Sequence, residues 1–205
     1  MAGYIKVIAG EMFSGKSTEL ARLVERALIA GLPVQVLVPA FSHRGSVRDV
    51  DGRLAALPGQ WSIVPVPDGA AERLDQLVDP GALVLAVDEA QFFDAHLVDY
   101  CRRWRAEGRQ VLVAGLDMDY REQPFGAMGE LMCIANEVVK VHAVCTRCRQ
   151  ADAFISHRLS DESAQVVVGE HNYTALCCDC YQAETARGAK PGRDPSRWDT
   201  LEATP

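Results

Sequence analysis

No stretch of the sequence stays apolar for the roughly 20 residues that a helix needs to span a bilayer. No leader pattern of charged, apolar and small residues opens it. "MAGYIKV" runs directly into strand-like sequence, so the expected location is the cytosol, away from any membrane. Basic charge is also short: 21 Lys and Arg against 28 Asp and Glu leave a net charge of −7, which argues against broad electrostatic binding of nucleic acid or anionic lipid. No internal repeat is present. The five histidines, His43, His96, His142, His157 and His171, fall at no metal-ligand spacing, so each reads as structural or surface. Seven cysteines is an odd number, and four of them form two C-x-x-C pairs, which in a reducing compartment reads as metal binding and not as disulfides.

What is present is ordinary globular composition, 48% apolar and 24% charged over 205 residues. That length holds one large domain, or one domain with a small module, and can bury a core without staples. Apolar runs at 4–9, 34–38 and 83–87 predict buried strands, 110–115 and 138–144 predict two further strands, and 61–66 is a shorter candidate. Leu20, Leu23, Val24, Ala27 and Leu28 form one helical stripe, stopped by Gly31 and Pro33. Further helices are expected over 71–78, 95–107 and 127–136, and a loop over 40–60. Strands alternating with helices predict an α/β domain with a mostly parallel sheet, its ligands bound beyond the strand C-termini. From 145 the texture changes to cysteine pairs and short segments, and 186–205 reads as a loose tail. The expected division is therefore 1–144, 145–185 and 186–205.

"GEMFSGKS" fits G-x-x-x-x-G-K-[ST] across Gly10, Glu11, Met12, Phe13, Ser14, Gly15, Lys16 and Ser17, between a predicted strand and a predicted helix. Glycines let backbone N–H groups approach phosphate oxygens, and the helix N-terminus adds its dipole. Lys16 is placed to reach the terminal phosphates and Ser17 to ligate magnesium. Asp88 ends the apolar strand "LVLAV", where a metal-bridging acid belongs, and Glu89 follows as a candidate base. Phe92 and Phe93 come next; nearness to Glu89 points one of them at a substrate. Cys145, Cys148, Cys177 and Cys180, with 28 residues between the pairs, suit a closed tetrahedral zinc site whose role is structural. Cys178 competes with Cys177, but only Cys177 completes C-x-x-C with Cys180. Cys101 and Cys133 lie in apolar stretches and read as core.

Together, "GEMFSGKSTEL", "DEAQFF", "GLDMDYREQPFG", "AVCTRC" and "VVVGEHNYTALCCDCY" resemble the zinc-containing, tetrameric thymidine kinases over most of residues 4–181. The resemblance implies a P-loop NTPase-type sheet with a small zinc-ribbon and lasso module. It implies transfer of phosphate from magnesium-bound ATP to the 5′-hydroxyl of thymidine, and of deoxyuridine, in a homotetramer, with no nucleic-acid or membrane partner. By position Glu89 matches the family's base. Met12, Phe92, Leu116, Tyr120 and Phe125 match positions lining the base pocket, and Ser156 a small hydroxyl residue facing the base methyl. Val166, Val168, Gly169 and Tyr173 lie in the lasso stretch. One departure stands out: where the family carries Asp-x-Arg, this chain has Ser42 and keeps Arg44, and Val38 replaces a lysine. Two rival readings are a nucleic-acid-dependent ATPase, suggested by "DEAQ" after a phosphate loop, and a nucleotide switch fused to a non-enzymatic zinc ribbon. A single motor-sized domain and the acidic charge weigh against the first, the aromatic acceptor pocket against the second.

Overall fold

The computed structural model describes residues 2–41, 59–67, 69, 73–160, 164, 165, 167 and 170–186. Ser42, Arg44, Val166, Val168 and Gly169, most of the expected 40–60 loop and nearly all of the expected tail lie outside the described residues. The chain forms two compact units. The first takes its residues from 1–10, 15–117 and 124–141, the second from 11–14, 118–123 and 142 onward.

The first unit is built on six strands: β1 (Tyr4–Gly10), β2 (Val34–Pro39), β3 (Trp61–Val66), β4 (Val84–Val87), β5 (Gln110–Leu116) and β6 (Glu137–Lys140). They run in the order β3-β2-β4-β5-β1-β6, every pair parallel. A parallel sheet needs helical crossovers, and these cover both faces. On one face α1 (Lys16–Ile29) sets Leu20, Ala21, Val24, Ala27 and Leu28 against Ile8, Val36, Ala86 and Ala114. On the other, α3 (His96–Ala106) and α4 (Met128–Ile134) pack Leu97, Cys101, Trp104, Met128 and Leu131 on Ile5, Val7, Val87 and Val113. A short α2 (Leu74–Leu77) adds Leu74 to that second layer. Odd-numbered and even-numbered residues of β1 thus go to different layers, which is why its sequence is apolar almost throughout. Truncating Trp104, buried and tilted on Tyr100 at 5.5 Å, would cost about 3–5 kcal/mol. Gly31, at φ 74, ends α1: its amide bonds Leu28 O and that of Leu32 bonds Ala27 O.

Two expectations need correction. The strand expected over 138–144 stops at Lys140, whose ladder partner is Ala9 near the end of β1; beyond it the chain enters the second unit, where Val144 bridges Asp152. Cys133 is exposed, not core: on α4, Met128 and Leu131 define the buried side and Cys133 falls away from it. Cys101 is buried, and burial pushes its thiol up to about 12, leaving an inert packing group.

The second unit has an antiparallel pair, β7 (Ile155–Arg158) and β8 (Tyr173–Leu176), followed by α5 (Cys178–Ala186). Its buried apolar clusters are small: Ala143, Ala153 and Ala175 in one, Cys145, Leu176 and Cys177 in the other. Among the described residues, clusters of that size bury little apolar area.

Candidate active site

In the first unit the strand order places the carboxyl ends of β4, β5 and β1 side by side. Each delivers part of the predicted machinery. Gly10 closes β1, Asp88 follows β4, and Leu116 closes β5. Gly15 begins α1 at φ 85, where an added Cβ would meet nothing within 4 Å. Glycine is therefore needed there for its backbone angle and not for space. No side chain caps α1, and a helix N-terminus favours an anion.

Asp88 is 2% exposed. Its Oδ1 accepts from the Glu89 amide at 3.0 Å and from the Ser17 hydroxyl at 3.3 Å. Its Oδ2 is buried and has no hydrogen-bond partner among the described residues. Burial, and then the Glu89 charge, push the Asp88 carboxyl up to about 7 against the pull of the Glu89 amide, Ser17 and Lys16. A buried acid left in that position fits a hard divalent cation: an orphaned carboxylate oxygen beside a hydroxyl is an oxygen donor set of the kind magnesium takes.

Glu89 is half-buried, with φ 53 and ψ 42, left-handed for a residue with a side chain. That is an uncommon conformation, held by the turn Ala90–Phe92 that follows. Within that turn Gln91 is buried and donates to Glu89 Oε2 at 2.5 Å, a contact the sequence reading did not foresee. The turn also separates the two phenylalanines. Phe93 joins the core, while Phe92 meets Phe125 edge-on at 5.6 Å and Phe41 at 4.9 Å. Phe41, 44% exposed, is a further aromatic that periodicity could not single out. Leu116 is half-buried beside them in sequence order, at the end of β5.

In the second unit the middle of the phosphate loop is held by polar bonds. The Glu11 carboxylate, 3% exposed, accepts from the Ala143 amide, and it meets His142 Nδ1 at 3.3 Å. Ser14 Oγ donates to Glu11 O at 2.7 Å, and the Met12 amide donates to Ser156 Oγ at 3.0 Å. Phe13 takes a left-handed φ of 66 and is half-exposed. Tyr120 and Tyr173 meet at Arg158, which is 0% exposed. Its guanidinium lies 3.5 Å over the Tyr120 ring and donates to Tyr173 Oη at 2.6 Å. The same group donates to the carbonyls of Ala164 and of Gln165, the latter at 2.7 Å. Sequence reasoning missed Arg158; a lone arginine inside the short run "FISHRL" was the available signal.

The sulfurs of Cys145, Cys148, Cys177 and Cys180 all lie within 4.8 Å of one another, with Cys148 and Cys177 at 3.9 Å. Tetrahedral zinc with bonds of about 2.3 Å sets sulfurs about 3.8 Å apart. Cys178 is exposed and outside this cluster. Burial pushes the Cys145 thiol up, but amides of Cys177, Cys148 and Arg147 outweigh it and bring it to about 6. Burial and the neighbouring sulfurs push Cys180 up instead. Four sulfurs gathered at this spacing are a donor set that a zinc ion would fit.

The family model described as thymidine kinase matches residues 3–181. A thymidine kinase of Bacteroides thetaiotaomicron is 43% identical over 181 residues, covering 87% of this chain and 87% of that one. One from Rhodothermus sp. is 41% identical over 181 residues, covering 88% and 82%. Among solved structures, the flagellar accessory protein FlaH of Methanocaldococcus jannaschii overlaps 67% of this chain and 70% of its own with a TM-score of 0.49 at 15% identity, which says nothing about activity. Similarity that runs through the phosphate loop, the acidic strand end and both cysteine pairs leaves one assignment: the chain belongs to the thymidine kinase family.

Proposed function

We propose that this chain transfers the terminal phosphoryl group of ATP to the 5′-hydroxyl of thymidine, and of deoxyuridine. The observation that carries the reading is the acidic end of β4, where a buried Asp88 bonds the phosphate-loop hydroxyl of Ser17 and Glu89 stands next to it. In the transfer, the nucleoside 5′-oxygen bonds to the γ-phosphorus as the bond from that phosphorus to the β,γ-bridging oxygen breaks. ADP leaves, and the hydroxyl proton passes to Glu89. Lys16, the loop amides and the first-turn amides of α1 spread the developing charge. Ser17 and Asp88 would hold magnesium, which when bound neutralises phosphate charge; Arg44 would pair with phosphate as well.

Met12, Phe92, Leu116, Tyr120, Phe125 and Ser156 are assigned to the base, with Val166, Val168, Gly169 and Tyr173 in a lasso that closes over it. Aromatic walls with a few polar partners are a normal way to hold a flat base. Excluding water protects the phosphoryl group from hydrolysis. Cys145, Cys148, Cys177 and Cys180 would hold a structural zinc, which when bound cross-links the second unit. Functionally we divide the chain into 1–144 for nucleotide, 145–185 for zinc and lasso, and a tail at 186–205. Cytoplasmic location and a homotetramer complete the proposal. Family membership leaves no support for the nucleic-acid-dependent ATPase.

The test is thymidine monophosphate formation by the native protein and by Glu89→Gln. Turnover should fall on the order of 100-fold or more in the variant, the usual scale for a general base, with ATP binding kept. Near-native turnover would sink the base assignment. Absence of product from the native protein would sink the function.

A further inference from the structure

We propose that Gln91 is a positioning residue that holds Glu89 in its proton-accepting posture. The inference rests on Glu89 as the base. Gln91 is 3% exposed, and its side chain forms two bonds with opposite demands. Its Oε1 accepts from the Leu116 amide at 2.9 Å. That amide can only donate, so the orientation of the Gln91 amide is fixed and its NH2 must face Glu89. Nε2 then donates to Glu89 Oε2 at 2.5 Å. The bond engages one carboxylate oxygen and leaves Oε1 to receive a proton.

The surroundings are cut to admit this side chain. A Cβ on Gly115 would sit 2.8 Å from Gln91 Oε1 and 2.7 Å from Met128 Sδ. A Cβ on Gly126, where φ is +53, would sit 2.2 Å from Gln91 O. Gly115 therefore leaves the space that the Gln91 side chain fills, and Gly126 the space for its backbone carbonyl. The need for such a hold follows from the backbone of Glu89. A left-handed residue at the mouth of a short turn has no helix of its own to fix its side chain. A glutamate free to turn among rotamers would spend most of its time out of reach of a hydroxyl. The Leu116 amide, at the end of β5, ties that carboxylate through Gln91 to the central sheet.

The alternative is a core glutamine that merely satisfies the Leu116 amide. Two substitutions separate these roles. Gln91→Glu keeps an acceptor for Leu116 and nearly the same shape, but replaces the fixed amide donor by a carboxyl that can face Glu89 only by sharing a proton with it. Gln91→Met keeps the volume and removes both bonds. Steady-state kinetics should show kcat lowered at least about 10-fold in each, with KM for thymidine and for ATP within about 3-fold. In a Glu89→Gln background, adding Gln91→Met should cost less than about 3-fold, because there is no base left to position. Native kcat in Gln91→Glu would overturn the proposal. So would losses that multiply in the double variant, which would make Gln91 a packing residue only. Glu89→Gln measured alone reports on the base itself, so failure of that reading is seen separately.

Discussion

Asp88→Asn should make the magnesium-free protein more stable while crippling it. The native carboxyl is moved from 3.8 to about 7 on folding, first by burial and then by the charge of Glu89. Below about pH 4 both states carry the proton and Asp88 is neutral to stability. Between there and pH 7 the unfolded chain releases the proton and the folded chain keeps it, so stability falls as pH rises. Above pH 7 the whole difference is lost. At about 1.4 kcal/mol per pH unit the ceiling is about 4 kcal/mol. Local opening that wets the carboxylate reduces this, and about 2 kcal/mol is expected. Asparagine keeps an Oδ1 that can accept from the Glu89 amide and the Ser17 hydroxyl, the two bonds seen in the native protein. The gain therefore comes with little loss of contact. Unfolding in urea with a chelator at pH 8 should show the variant about 2 kcal/mol more stable, or roughly 5 °C higher in Tm for a chain of this size. At pH 4 the two proteins should agree much more closely. Turnover with magnesium and ATP should collapse. A variant no more stable than the native protein at pH 8 would refute the reasoning, since it would mean that the buried carboxylate carries no strain for a cation to relieve.

Cys148→Ala should remove zinc measured by elemental analysis, from about one ion per chain, and destabilise the segment from 142 onward, because structural zinc binding is folding energy. Retained activity in that variant with its metal gone would contradict the assignment. Gly126→Ala forces a Cβ against Gln91 O at a left-handed φ, and should cost on the order of 3 kcal/mol. Thermal unfolding and kcat should both fall; a native-like pair would show that the turn yields freely.

The α/β architecture was legible because a parallel sheet buries both strand faces. Four of the expected strands, β1, β2, β4 and β5, therefore read as short apolar runs, and α1 as a clean stripe. The phosphate loop and the cysteine pairs were legible because their chemistry needs fixed spacings along the chain. Gln91 and Arg158 were not, since what matters about them is a partner far away in sequence: Leu116 for one, Tyr120 and Tyr173 for the other. The length of β6 was also illegible locally. "VVKVHAV" is good strand sequence, but its first half pairs with β1 and its last residues with 151–153, so the break is set by other segments.

Asp88 and Glu89 look from sequence like two acids at a strand end, a pair that could simply be solvated. The fold treats them differently. One is buried with an unsatisfied oxygen, and the other stands half-exposed on left-handed backbone. Each breaks a rule that the rest of the chain obeys: buried charges are paired, and residues with side chains avoid positive φ. Violations of this kind cost of order 1–3 kcal/mol each and persist only where surrounding structure imposes them. Here the surrounding structure is specific. Ser17 and the Glu89 amide hold the first acid, and Gln91, with its side chain seated against Gly115, holds the second. A solvated pair would need none of these contacts. Their presence is what supports the proposal of a metal at Asp88 and a proton at Glu89, and not the reverse.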